Sequence, residues 1–193
     1  MKKLAIVAAL LPLTACIKFG SEPPPALLML SSAATIPAGE IQGSANSAAI
    51  LIQTPQTPQE LATVRVPVHT SDTSVAYVKE AQWVEQPADM FARLLADTVT
   101  ARTGRMTISE RQSIDRPAAL LTGELRSFGV DARTNEATVI YDASLRRADS
   151  AVFERRRFVA TVPVSAIDRT AVGEALNQAA NQVAGEVADW IGK

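Results

Sequence analysis

The chain has 193 residues, 47% of them apolar but only 5% aromatic, with 19 basic against 20 acidic side chains. A formal charge of −1 gives no basic surplus to recommend nucleic acid as a partner, and a single cysteine excludes an intramolecular disulfide framework. The length suits one domain with a real core, built from small and branched side chains that leave little material for a wide aromatic ligand cage.

Lys2 and Lys3 open the chain with positive charge, and Leu4 to Leu13 follow as an apolar run interrupted by Pro12, the outline of a secretory signal. That run falls well short of the roughly 20 residues needed to cross the hydrocarbon core, so a permanent transmembrane helix fails on length. Leu13-Thr14-Ala15-Cys16 resembles the bacterial lipobox, in which cleavage between Ala15 and Cys16 leaves an acylated cysteine as the mature N-terminus. The alternative is an ordinary signal peptide in which Cys16 is one more apolar residue. Lipidation also accounts for a solitary thiol in a compartment that oxidises spare ones. Stable residence in a membrane needs two or more acyl chains, which bacterial lipoproteins resemble in carrying. Ile17, where an inner-membrane sorting signal would have Asp, points by resemblance to the periplasmic face of the outer membrane. Three segments are expected: a signal peptide over 1–15, a lipidated Pro-rich tether over 16–25, and a single periplasmic domain over 26–193.

In the tether, Gly20, Ser21 and Pro23 to Pro25 favour an extended conformation with a reach of roughly 30 Å. The apolar run Ala26 to Ser32 is read as a buried strand, and a second strand follows in "AAILIQTP". Val64, Val66 and Val68 alternate with Arg65, Pro67 and His69, and Pro67 restricts that strand to a half-buried edge. "SVAYVKEAQWVE" continues in strand character to Trp83. Then the period changes. Phe91, Leu94, Leu95, Thr98 and Val99 recur at three and four, with Pro87 in the first turn and Gly104 just past the end, which predicts a helix over 87–103. "RMTISE", "AALLTGELRSFGVD" and "EATVIYDASLRR" return to strand, and a turn at "ADS" leads into "AVFERRRFVATVPV" to form a long hairpin. Ser165 to Asp168 has a capping-box outline before Val172, Leu176, Ala179, Val183, Val187 and Trp190 at helical spacing, with Asn177 and Asn181 among the residues on the rest of that surface. The whole reads as α+β: an antiparallel sheet with two main helices packed on one face.

Catalytic machinery is hard to assemble from these residues. Nucleophilic catalysis needs an activated nucleophile and a base, yet the one histidine, His69, sits beside a proline, and the one thiol is the anchor. No His, Cys or carboxylate set has metal-ligand spacing; Glu80, Glu85 and Asp89 read as a solvated helix entrance. No catalytic residue, cofactor or metal is expected. Arg146, Arg147, Arg155, Arg156 and Arg157 would gather near the hairpin turn, either to meet anionic headgroups or an acidic partner, or as edge-guarding charges partly neutralised by Asp142, Asp149 and Glu154. Trp83 with Glu85 is either a contact surface or the seat of the following helix.

The lipobox, "YVKEAQWVEQPADMFARLLADTV" with its Trp-x-Glu before a helix, and "LLTGELRSFGVD" followed by a long hairpin and a final helix resemble the ABC-type transport auxiliary lipoproteins. These accompany lipid transport systems of the Mce, Mla or Pqi kind. The resemblance spans Tyr77 to Trp190 plus the anchor. It implies a non-enzymatic docking or scaffold role at the outer membrane, beside an Mce-domain protein and an ABC ATPase and permease, with Cys16 as the lipidation site and Trp83 and Glu85 matching a family landmark. An envelope-assembly lipoprotein that binds peptidoglycan or a β-barrel complex is the alternative. The exposed hairpin and edge strand would permit homo-oligomers without requiring them.

Overall fold

The computed structural model describes residues 26–39, 49–110, 117–147 and 150–192. Cys16, the tether over 16–25, the 40–48 segment and the first two residues of the "ADS" turn lie outside them. In order, the elements are β1 (Ile50–Ile52), a 3₁₀ turn (Gln59–Leu61), β2 (Arg65–Ser71), β3 (Ser74–Gln82), α1 (Pro87–Thr103), β4 (Thr107–Ser109), β5 (Ala119–Asp131), β6 (Glu136–Arg147), β7 (Phe153–Pro163) and α2 (Arg169–Ile191).

The alternation in β6 produces one dry face. Ala137, Val139, Tyr141, Ala143 and Leu145 are at most 1% exposed, and the residues between them are partly open. Both helices cover that face. On α1, Phe91 meets the Tyr141 ring edge-on at 5.3 Å, and on α2 Trp190 tilts against Phe158 of β7 at 5.6 Å. One core cluster joins residues from both helices and the sheet.

The architecture is α+β, but the sheet is mixed where an antiparallel one was expected. β5 is its spine. β6 pairs along the whole of one edge, while the other edge is shared by β1 at Ala119–Leu121 and β2 at Val130–Asp131, both parallel to it. β4 adds in parallel to β1, and β3 and β7 add antiparallel to β2 and β6. Hairpins leave a local signal in the sequence, whereas a parallel pair requires a crossover of a dozen or more residues. Between β2 and β5 that crossover contains β3, α1 and β4, and no local pattern announces it.

β2 is likewise an inner strand, between β3 and β5, and not the edge its proline suggested. Two features admit Pro67. The β2–β3 register shifts between Arg65 and Pro67, so the missing N–H falls at an irregularity. On the other side Gly129 of β5 faces it, where a Cβ would stand 2.6 Å from the Pro67 carbonyl oxygen and 2.8 Å from its Cγ.

Pro87 begins α1 and Gly104, at φ +66°, ends it by donating its N–H to the Thr100 carbonyl at 2.9 Å. α2 starts three residues later than a box opened at Ser165 would place it. Asp168 is itself the cap, its carboxylate accepting the Ala171 N–H at 2.9 Å. At the far end of the helices Arg102 of α1 donates to the Gly185 carbonyl at 3.2 Å and to Asp189 at 2.8 Å.

Residues 28–34 form an extended strap, so Ala26 to Ser32 are not the buried strand their apolarity suggested. Of these residues Leu28 makes an isolated β-bridge, to Trp83 just past β3, while Leu27 and Met29 face out. Three further backbone groups of the strap turn to α2. The Asn177 side-chain oxygen accepts the Ser31 N–H at 2.8 Å, and that of Asn181 accepts the Ala33 N–H at 2.7 Å. The Asn181 amide donates back to the Ser31 carbonyl at 2.9 Å. Two asparagines four residues apart share one helix stripe, so they read a peptide laid along it. Asn181→Ala removes two such bonds, each contributing about 0.5–1.5 kcal/mol net. The expected result is a Tm lower by a few degrees and faster hydrogen exchange confined to the strap; unchanged exchange would show that Leu28 and the Asn177 bond to Ser31 hold the strap without Asn181.

Candidate functional site

Trp83 ends the β3 region with its N–H donated to the Val64 carbonyl at 2.7 Å. Its side chain is 1% exposed and edge-on to Phe128 at 5.4 Å, and its Nε1 has no hydrogen-bond partner among the described residues. The buried indole packs the end of the β3 region onto β5 just before the chain enters α1.

Glu85, two residues on, is on the surface and takes both terminal nitrogens of the Arg93 guanidinium, Nη1 at 2.9 Å. That contact raises the Arg93 pKa, chiefly through the hydrogen bond. The pair sits on the rim of a cleft of about 450 Å³ bounded by α1, β1 and β4, with Ile52, Ala96 and Ile108 below and Asp89 and Glu110 beside it. Glu80 belongs to a separate place, 3.6 Å from Lys79. Among the described residues no group of three or more His, Cys, Asp or Glu side chains is disposed to hold a metal ion.

His69 is partly exposed, its Nε2 3.2 Å from Glu60 Oε1. Near it Arg133 binds Asp131 through Nε at 3.1 Å and Nη2 at 2.8 Å, and Asp72 through Nη1 at 2.6 Å. Those bonds hold the Asp131 carboxyl down at about 2. These are surface ties across the β2–β3 and β5–β6 turns.

The arginines of the hairpin divide. Arg157 grips Asp142 with two bonds, Nε at 2.6 Å and Nη2 at 2.7 Å, and through them lowers the Asp142 pKa. Arg147 pairs with Glu154 at 3.2 Å and donates to the Ile191 carbonyl at the end of α2 at 3.4 Å. Arg156 lies over the Phe158 ring at 4.9 Å. Arg146, Arg155 and Arg156 form no salt bridge among the described residues. Sequence reasoning located this cluster but missed the Asn177–Asn181 clamp, whose signal was the four-residue spacing of two amides on a helix otherwise rich in alanine.

Fold and surface together define a small α+β scaffold whose N-terminal strap runs along its last helix. The chain belongs to the family described as the ABC-type transport auxiliary lipoprotein component, whose model matches residues 30–188. It is similar to the crystal structure of protein XCC0632 from Xanthomonas campestris, of family DUF330, with 20% identity and a TM-score of 0.69, covering 86% of this chain and 94% of that one. It is also similar to an uncharacterised protein at 14% identity and a TM-score of 0.65, covering 75% and 92%. A PelC dodecamer from Paraburkholderia phytofirmans aligns at 8% identity and a TM-score of 0.45, covering 74% and 88%. No curated protein matches the sequence. The family is one of lipoproteins that serve ABC-type transport, so the protein is an auxiliary component of such a system and is associated with a membrane.

Proposed function

We propose that this protein is an accessory lipoprotein of an Mce-like lipid transport system, anchored through acylated Cys16 to the periplasmic face of the outer membrane. Its role there is that of a non-catalytic docking or scaffold component. The observation that carries the reading is the family match over residues 30–188, downstream of a lipobox and a Pro-rich tether that ends at residue 25. Ile17 supports the outer membrane, as no Asp follows the cysteine. The polar groups support a scaffold: His69, Glu85, Arg133 and Arg157 are engaged in local ties, and Trp83 is buried, which leaves docking to exposed groups such as Arg155 and Arg156.

The test is mass spectrometry of proteins that co-purify with the tagged chain from crosslinked, gently solubilised envelopes. An Mce-domain protein together with an ABC ATPase and permease is the expected recovery. Peptidoglycan-binding or barrel-assembly proteins in their place would move the function to envelope construction. Cys16→Ser should leave an unprocessed, unacylated precursor; mature acylated protein from that variant would overturn the anchor.

A further inference from the structure

The β6–β7 hairpin ends in a combination that the fold itself does not use. Val152 is 68% exposed and Phe153 49% exposed, so two apolar side chains stand in the open where the chain enters β7, beside the last β6 residues. Residues 146–157 carry five arginines against Asp149 and Glu154. Glu154 is taken by Arg147, and Arg157 is taken by Asp142. Arg146, Arg155 and Arg156 are left without a salt bridge among the described residues. The register places Arg146 opposite Phe153, and Arg155, two residues on, shares the Phe153 face, while Arg156 lies on the other face over Phe158. A cluster that only guarded a sheet edge would not need exposed apolar residues beside it.

We infer that this tip is a binding site for an anionic lipid surface, with Arg146, Arg155 and Arg156 meeting headgroup phosphates and Val152 and Phe153 entering the boundary between headgroups and acyl chains. Guanidinium groups pair with phosphate oxygens through parallel hydrogen bonds, and apolar side chains bury best where headgroups meet hydrocarbon. Arg147 braces the site by tying the hairpin to the last carbonyl of α2. The strap begins at the other end of that helix, where Leu28 packs on Gly173. At 1.5 Å per residue the two ends are about 27 Å apart. A fully extended tether over 16–25 spans roughly 30 Å, so the tip reaches the membrane that holds the anchor when the domain lies along it. The inference stands apart from the transport reading; the reach of the tip rests on the proposed anchor, which the test with Cys16→Ser removes.

It is tested with the chain from residue 16 onward carrying Cys16→Ser, in which every core residue is retained and no acyl chain contributes. Sedimentation with phosphatidylethanolamine–phosphatidylglycerol vesicles should exceed that with phosphatidylcholine vesicles and weaken with added salt. Arg155→Glu and Arg156→Glu should each weaken it by about fivefold or more, and Val152→Ser with Phe153→Ser should lower it at unchanged Tm. Lys79→Glu, on β3 at the other edge of the sheet, should bind as the parent does. Equal binding to both vesicle types, or parental binding by the arginine variants, would overturn the inference. So would absence of vesicle binding combined with crosslinks from position 153 to a protein in envelopes, which would mark the tip as a protein contact.

Discussion

Leu176→Asp should leave no folded protein. Leu176 is fully buried on the face of α2 that meets the sheet, with Ala175, Ala179, Ala180 and Val183 around it. These small neighbours bring the helix backbone close to β6 and β7, so a carboxylate there has neither water nor a cation within reach. An unpaired buried charge costs several kcal/mol, against a total stability of about 5–15 kcal/mol for a domain of ordinary size. Leu176→Ala grades the same site, with an expected loss of about 2–5 kcal/mol from lost burial and the cavity left behind. Thermal unfolding followed by near-ultraviolet circular dichroism separates the two: no cooperative transition for Asp, a lowered one for Ala. A parental Tm for the Asp variant would remove α2 from the core.

Gly123→Ala should be the most damaging methyl group that can be added to the sheet. Gly123 lies in β5 opposite Ala143. A Cβ there would overlap the Asp142 carbonyl oxygen and stand 2.7 and 2.8 Å from Cε2 and Cζ of Tyr141. Neither neighbour is free to retreat. The carbonyl is backbone, and the Tyr141 ring is fixed by Phe91 at 5.3 Å and by its own hydroxyl, which donates to the Thr122 carbonyl at 3.2 Å. Overpacking of this kind typically costs about 1–3 kcal/mol and occasionally more. Tyr141→Leu should absorb part of that cost, so the double variant should be more stable than the sum of the singles by about 0.5–3 kcal/mol. Strict additivity would show that the clash lies with the backbone alone.

The arginine cluster and the lone cysteine stand in different positions. Cys16 is a matter of local order in the chain: a positive start, an apolar run and four residues in sequence, none of which needs a fold to be read. The arginines could be located but not sorted, because whether a guanidinium is paired depends on which carboxylate the register places beside it. Asp142 faces Arg157 across β6 and β7, and Glu154 reaches back to Arg147.

By itself the sequence determined what is written in short-range periodicity. The bounds of α1 at Pro87 and Thr103, the dry face of β6 and the hairpin into β7 all follow from patterns a few residues long, since a helix or strand presents its faces at a fixed local repeat. Tertiary structure alone decided the rest. It placed β1 and β2 parallel to β5 across long crossovers, took Pro67 into the sheet opposite a glycine, turned an apolar run into a strap held by Asn177 and Asn181, and buried Trp83 beside a half-buried Glu85. Each of these joins groups far apart in the chain, and a backbone donor or a side chain carries no local mark of which distant partner will satisfy it.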